Sequence, residues 1–290
     1  MNDTIQKLTY IKLNCLKKNL LILSFIVCFF SSLAQTVRRP VGALYTGLGA
    51  YSLNEADVFS FTNNQGSLAQ MKNIAIGVYG EKRFMLNELS LYQLALAIPT
   101  HSGNFGIKSG YFGFSDYNET QIGFAYGRKL GKNIDLGVQF NYNGISIAGY
   151  GNAGAINFEI GTVLHLTDKL SAGFHAYNPV GGKFGKDNDE KLASIYTVGF
   201  GYEASPKFFL SAEIEKEEDQ VVSINAGLQY KIISQLMIRG GIATNTSSLY
   251  GGAGLYIKSL RIDVLANYHP QLGVTPGLLF VYSFSKKDDE

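Results

Sequence analysis

The side chains with chemistry to offer are few and scattered. Four histidines, His101, His165, His175 and His269, fall in separate segments with no metal-ligand spacing between them. Gly144-Ile145-Ser146-Ile147-Ala148 has a serine in an apolar run but no strand–turn–helix context for a nucleophile elbow. Gly47-Leu48-Gly49 is half of a dinucleotide fingerprint without a βαβ unit. A different set stands out: Glu159, Glu203, Glu213, Arg239, Arg261 and Asp263, each in a run whose large apolar residues occupy the alternate positions. In a soluble core such charges are costly unless paired. In a lumen they stay hydrated, form cross-strand ion pairs or line a solute path. No catalytic residue, metal ligand or cofactor is implied, and no enzymatic activity is expected.

The elements that carry these charges are strands. From Gln121 to Tyr142, Ile122, Phe124 and Tyr126 alternate with Gln121, Gly123 and Ala125. After Gly131-Lys132-Asn133, Ile134, Leu136, Val138, Phe140 and Tyr142 alternate with Asp135, Gly137, Gln139 and Asn141. A period of two places one set on each face of a sheet. A soluble sandwich turns the large face to its core, whereas a membrane barrel turns it to lipid and the small polar face to the lumen. Fourteen such segments fit between Asn73 and Phe284, most of them 10 to 13 residues long. That is the length a tilted membrane strand needs, and about twice that of an ordinary soluble strand.

The connections sort by parity. Gly131–Asn133, Thr167-Asp168, Ser205-Pro206, Ile232–Ser234 and Ser259 are short and fall on one side, as periplasmic turns do. Gly144–Asn152, Asn178–Lys191, Thr244–Ser248 and Pro270–Val274 are longer and fall on the other. The acidic run Glu213–Asp219 breaks this rule as a tight turn and reads as a charged hairpin tip. The expected fold is all-β: a transmembrane antiparallel β-barrel of about fourteen strands, preceded by a short hatch-like segment.

Residues 1–34 read as a secretory signal peptide, with four lysines, an apolar stretch Leu20–Phe30 too short to span, and Ser32-Leu33-Ala34 as a cleavage pattern. Both cysteines, Cys15 and Cys28, lie inside it, so no disulfide framework is expected after processing. Without Lys7, Lys12, Lys17, Lys18 and Asp3 the chain keeps 21 basic and 22 acidic residues, which gives nucleic acid no reason to bind. The organisation expected is signal 1–34, hatch 35–72, barrel 73–285 and a periplasmic tail 286–290, with both termini periplasmic. The final strand presents Leu278, Phe280, Tyr282 and Phe284 on one face and resembles the signal read by the outer-membrane barrel assembly machinery.

The hatch segment carries a family resemblance. Gly47-Leu48-Gly49-Ala50-Tyr51, then Asp57 and Ser60, then Asn63-Asn64-Gln65-Gly66-Ser67-Leu68, is similar to the N-terminal signature of the long-chain fatty acid transporter (FadL) superfamily and its type IX secretion relatives PorV and PorQ. Here the usual Pro and Ala of the second motif are missing. The Lys/Asn/Tyr-rich composition and Leu33-Ala34-Gln35 resemble exported Bacteroidota proteins. The resemblance implies a fourteen-stranded outer-membrane barrel whose hatch folds into the lumen, with Asp57, Asn63 and Asn64 as hatch residues. It also implies passive passage or binding of small hydrophobic solutes through a Gly-lined, sparsely charged lumen. The alternative it offers is an accessory barrel docked to a secretion system. Membrane lipid and lipopolysaccharide are the other partners expected.

Overall fold

The computed structural model describes residues 40–184, 190–244 and 248–284, with side chains for all of these but 190 and 191. The leader 1–34 with Cys15 and Cys28, the first residues of the hatch, 35–39, and the tail 286–290 lie outside the described residues. The described residues belong to one compact unit, Gln35–Glu290.

Fourteen antiparallel strands close on themselves. They are β1 (Ala75–Lys82), β2 (Ser90–Thr100), β3 (Gly103–Gly113), β4 (Tyr117–Leu130), β5 (Ile134–Ile147), β6 (Gly151–His165) and β7 (Leu170–Tyr177). The second half is β8 (Ile195–Ser205), β9 (Phe208–Glu217), β10 (Ser223–Ile233), β11 (Leu236–Ala243), β12 (Ser248–Ile257), β13 (Leu260–His269) and β14 (Gly273–Ser283). Each strand pairs with its sequence neighbours, and β14 closes on β1 from Ala75↔Ser283 to Glu81↔Gly277. The β2–β3–β4 register runs without a break, and the wall shows shifts only at Glu203/Ser205 and Lys231/Ile233, near its short-turn end.

The two faces are arranged as a membrane wall requires. Phe124 and Phe140 are register partners on the outside and each is 61% exposed, while Gln139 and Asn141 beside them point inward and are buried. A soluble barrel would invert that assignment, because exposed aromatic rows cost free energy in water. The β4–β5 turn follows the sequence closely: Gly131 takes φ 74°, a left-handed conformation that glycine adopts without a Cβ penalty.

One connection is shorter than its sequence suggests. Gly144–Asn152, expected as a longer connection, is mostly strand. Pairing continues through Gly144↔Gly154 to Ile147↔Gly151 and leaves only Ala148, Gly149 and Tyr150 as a turn. Glycine density suggested a loop, but only Gly149 (φ 80°) and Gly151 (φ 102°) serve the turn. Ile145 instead packs under the 178–192 connection with Ala155, Phe184 and Leu192. That connection carries a two-stranded ribbon, Lys183–Phe184 with Glu190–Lys191.

The lumen is filled. A short helix α1 (Ala43–Thr46) and 3-10 turns at Leu48–Tyr51, Ser60–Thr62 and Gln65–Gln70 fold inside the wall. Tyr45, Val58, Phe59, Phe61 and Leu68 form one buried apolar cluster with wall residues that include Tyr79, Leu91, Leu265 and Leu279. The inward glycines expected to line the lumen seat this hatch. A Cβ on Gly137 would stand 2.2 Å from the Gln65 carbonyl oxygen, and one on Gly199 would stand 2.2 Å from the Tyr51 ring.

Candidate functional site in the plugged lumen

All six charged residues singled out on the wall point inward, and they clamp the hatch rather than line a free channel. Glu203 of β8 accepts from Ser52 Oγ at 2.6 Å, Leu53 N at 2.9 Å and Asn54 N at 3.1 Å. Glu213 of β9 meets the Tyr51 hydroxyl at 3.3 Å and Asn225 at 3.0 Å. Arg239 of β11 donates from Nη1 to the Tyr45 carbonyl at 3.1 Å and from Nε to Gln229 at 2.7 Å. Arg261 of β13 forms ion pairs with Asp57 at 2.8 Å and with Asp263 at 3.1 Å. Asp263 is fully buried and shares Arg261 with the hatch residue Asp57.

Glu159 of β6 is the centre of the largest network. Gln65 of the hatch donates to it at 2.7 Å, Lys108 of β3 at 3.1 Å and Asn141 of β5 at 2.8 Å, and His175 of β7 lies 2.9 Å away. All five are buried, so the carboxylate is compensated on every side, as a buried charge must be.

The hatch residues anticipated from sequence take three different roles. Asp57 accepts from the Phe59 amide at 2.8 Å and lies between Arg261 and Arg239. Burial pushes its carboxyl up, but the two guanidinium groups outweigh that and hold it below the usual carboxylate range. Asn64 donates to two wall carbonyls, Thr162 at 3.1 Å and Phe174 at 3.2 Å, while its own oxygen accepts from Gly66 N. Asn63 donates to the Ala43 carbonyl at 3.3 Å and faces the cavity described below.

Several anchors were missed. Glu81 accepts from the amides of Val41 and Gly42 at 2.8 and 2.9 Å, fixing the start of the described hatch. Glu55 holds Gln229 at 2.6 Å and Lys231 at 2.5 Å. Gln70 donates to Asp135, whose carboxylate also lies 2.7 Å from His165. Asp135 stands on the polar face of its strand and Gln65 within the hatch motif, but nothing in the sequence pointed to their contacts or to Gln70 and Glu55, because irregular turns carry no period.

Above the hatch, toward the long-loop end, lies a cavity of about 440 Å³. Its floor is Ala43, Leu44, Thr62 and Asn63, and its walls include Lys108, Glu159, His175, Ile195 and Glu213. Gln220, at its rim, is exposed, so the cavity opens at that end. It is a vestibule that dead-ends on the hatch.

A lipid-facing wall of fourteen strands and a hatch seated inside it define an outer-membrane-type β-barrel with a plugged lumen. No family model and no curated sequence matches the chain. Among solved structures it is similar to a Pseudomonas aeruginosa FadL homologue, with TM-score 0.55 and 12% identity, covering 86% of this chain and 98% of that one. It is also similar to the Pseudomonas putida toluene transporter TodX, with TM-score 0.55, 10% identity and coverage of 77% and 92%. A TodX monoaromatic hydrocarbon channel lacking S2 gives TM-score 0.59 at 10% identity, covering 78% and 94%. At these identities the likeness speaks for the fold alone, a closed antiparallel β-barrel of fourteen strands.

Proposed function

We propose that this barrel passes small solutes across the outer membrane without enzymatic change, and that the hatch must leave its seat for them to proceed. The observation that carries this reading is the vestibule, which opens at the long-loop end and stops at Asn63 and Thr62 of a hatch held by polar clamps. The fold supports it, since the two TodX structures named above are described as a toluene transporter and a monoaromatic hydrocarbon channel. The vestibule of this chain mixes apolar Val41, Leu44, Phe84 and Ile195 with Lys108, His175, Gln121 and Asn225. That lining favours solutes that join an apolar body to hydrogen-bonding groups over pure hydrocarbons. A closed, plugged wall would equally serve a docking scaffold; the vestibule is what favours passage.

The test uses purified full-length chain in planar bilayers and in swelling vesicles, beside a variant with Asp57→Ala and Glu203→Ala that loosens two clamps. Larger conductance and faster swelling in the variant are expected. Equal, near-zero flux for both proteins would remove the passage reading.

A further inference from the structure

The exposed charges of the two rims differ, and the difference follows the edge of the apolar belt. At the short-turn end, Lys132, Lys169, Lys207 and Lys258 lie in four separate connections, and Lys72 lies at the foot of β1, all exposed. Arg128 and Lys129 at the end of β4 add to them, and Asp168 is the one exposed acid at this end among the described residues. The long-loop end carries exposed Glu88, Asp116 and Asp219 against Lys183 and Lys216 among the described residues.

Four of the short-turn cations stand near the last lipid-facing apolar residue of a strand. Lys132 lies between Leu130 (48% exposed) and Ile134 (42%), and Lys258 follows Ile257 (52%). Lys169 lies between exposed Leu166 and half-buried Leu170, and Lys72 precedes exposed Ile74. A lysine at that height keeps its stem against the acyl boundary and its ammonium among headgroups. The acidic side chains near this rim do not cancel them, because Glu55 and Glu203 turn inward to the hatch and to Lys231.

We propose that the short-turn rim is a binding collar for anionic phospholipid headgroups in the leaflet it faces. The distribution decides the partner class. The cations sit in connections all round the barrel, from β1 through β4–β5, β6–β7 and β8–β9 to β12–β13, whereas a protein partner would need them gathered on one arc. Phosphate at the headgroup level meets each of them at once, and the attraction is electrostatic and screened by salt.

The inference rests on the membrane-wall reading, and its test separates the two. Full-length protein is reconstituted in phosphatidylcholine vesicles containing phosphatidylglycerol as a minor component, and spin-labelled forms of the two lipids report which one lines the protein. At low salt, phosphatidylglycerol is expected to be enriched at the barrel by about fivefold. The variant Lys132→Gln/Lys169→Gln/Lys207→Gln/Lys258→Gln should lose that preference while keeping the gel-mobility shift of a folded barrel. Lys183→Gln/Lys216→Gln, at the opposite rim, should keep it. Equal association of both lipids with the wild type, or a preference that survives in the quadruple variant, would overturn the collar alone. Failure to insert into these vesicles would overturn the membrane reading and the collar together.

Discussion

The Asp57 carboxylate of the hatch lies 2.8 Å from the Arg261 guanidinium of the wall, across 204 positions of sequence, with Arg261 buried and Asp57 largely so. Arg261 also holds Asp263, so one wall cation bridges a wall acid and a hatch acid. A hatch fixed by such contacts is held firmly while they last and freed when they break. Hydrophobic seating alone would lack that step.

Removing the hatch side of this bridge should loosen the plug without unfolding the wall. Asp57→Ala is expected to weaken the hatch by about 3 kcal/mol, at the lower end for a broken buried pair, because Asp263 still compensates Arg261. Hydrogen exchange of amides in 50–62 should speed up while strand amides stay protected. Unchanged exchange in 50–62 would show that the ion pair does not hold the hatch.

The same carboxylate gives a pH dependence whose sign is fixed. Its folded pKa lies below its unfolded value, so its contribution is fully present above the unfolded value and is lost as pH falls through the folded one. The stability gap between wild type and Asp57→Asn should therefore be wide at neutral pH and narrow below about pH 4, near where an unfolded Asp titrates. A gap that stays constant down to strongly acidic pH contradicts this assignment.

The seat itself is testable at glycines. Gly137→Ala places a Cβ against the Gln65 carbonyl at 2.2 Å, on the lumen side only. Overpacking of that kind costs about 1–3 kcal/mol, and here the hatch is the partner that must shift. The variant should fold as a barrel, with lower thermal stability and easier protease cleavage within 60–70. A cleavage pattern identical to wild type would mean that the hatch does not rest on β5.

The outer face has an independent check. Phe124→Arg at mid-height of β4 should destabilise the barrel in vesicles by about 2–4 kcal/mol, as a cation near the bilayer midplane does. Urea titration of folding in vesicles measures it, and a neutral result would place this row away from lipid.

The wall was readable because a period of two survives along every strand, and parity located Glu159, Glu203, Glu213, Arg239, Arg261 and Asp263 on its inner side. The length of β5 and β6 was not, since Gly144 looks like a loop residue until it is seen paired with Gly154. What those charges touch was also hidden. Gln65 meets Glu159 across 94 positions, and Ser52 meets Glu203 across 151, from turns whose conformation is imposed by the surrounding wall. Inward glycines were legible as a small-residue lumen lining, but only the fold shows that Gly137 and Gly201 mark where the hatch backbone comes closest.

The claim that the hatch must leave its seat is tested most directly by locking it there. The chain has no cysteine beyond Cys28, and a Cβ on Gly127 would stand 2.9 Å from the Leu68 Cβ, close to disulfide reach. Solute flux through vesicles carrying Leu68→Cys/Gly127→Cys should be abolished when the pair is oxidised and should return to the wild-type rate on reduction. Equal flux in the oxidised and reduced states would contradict a hatch-gated path.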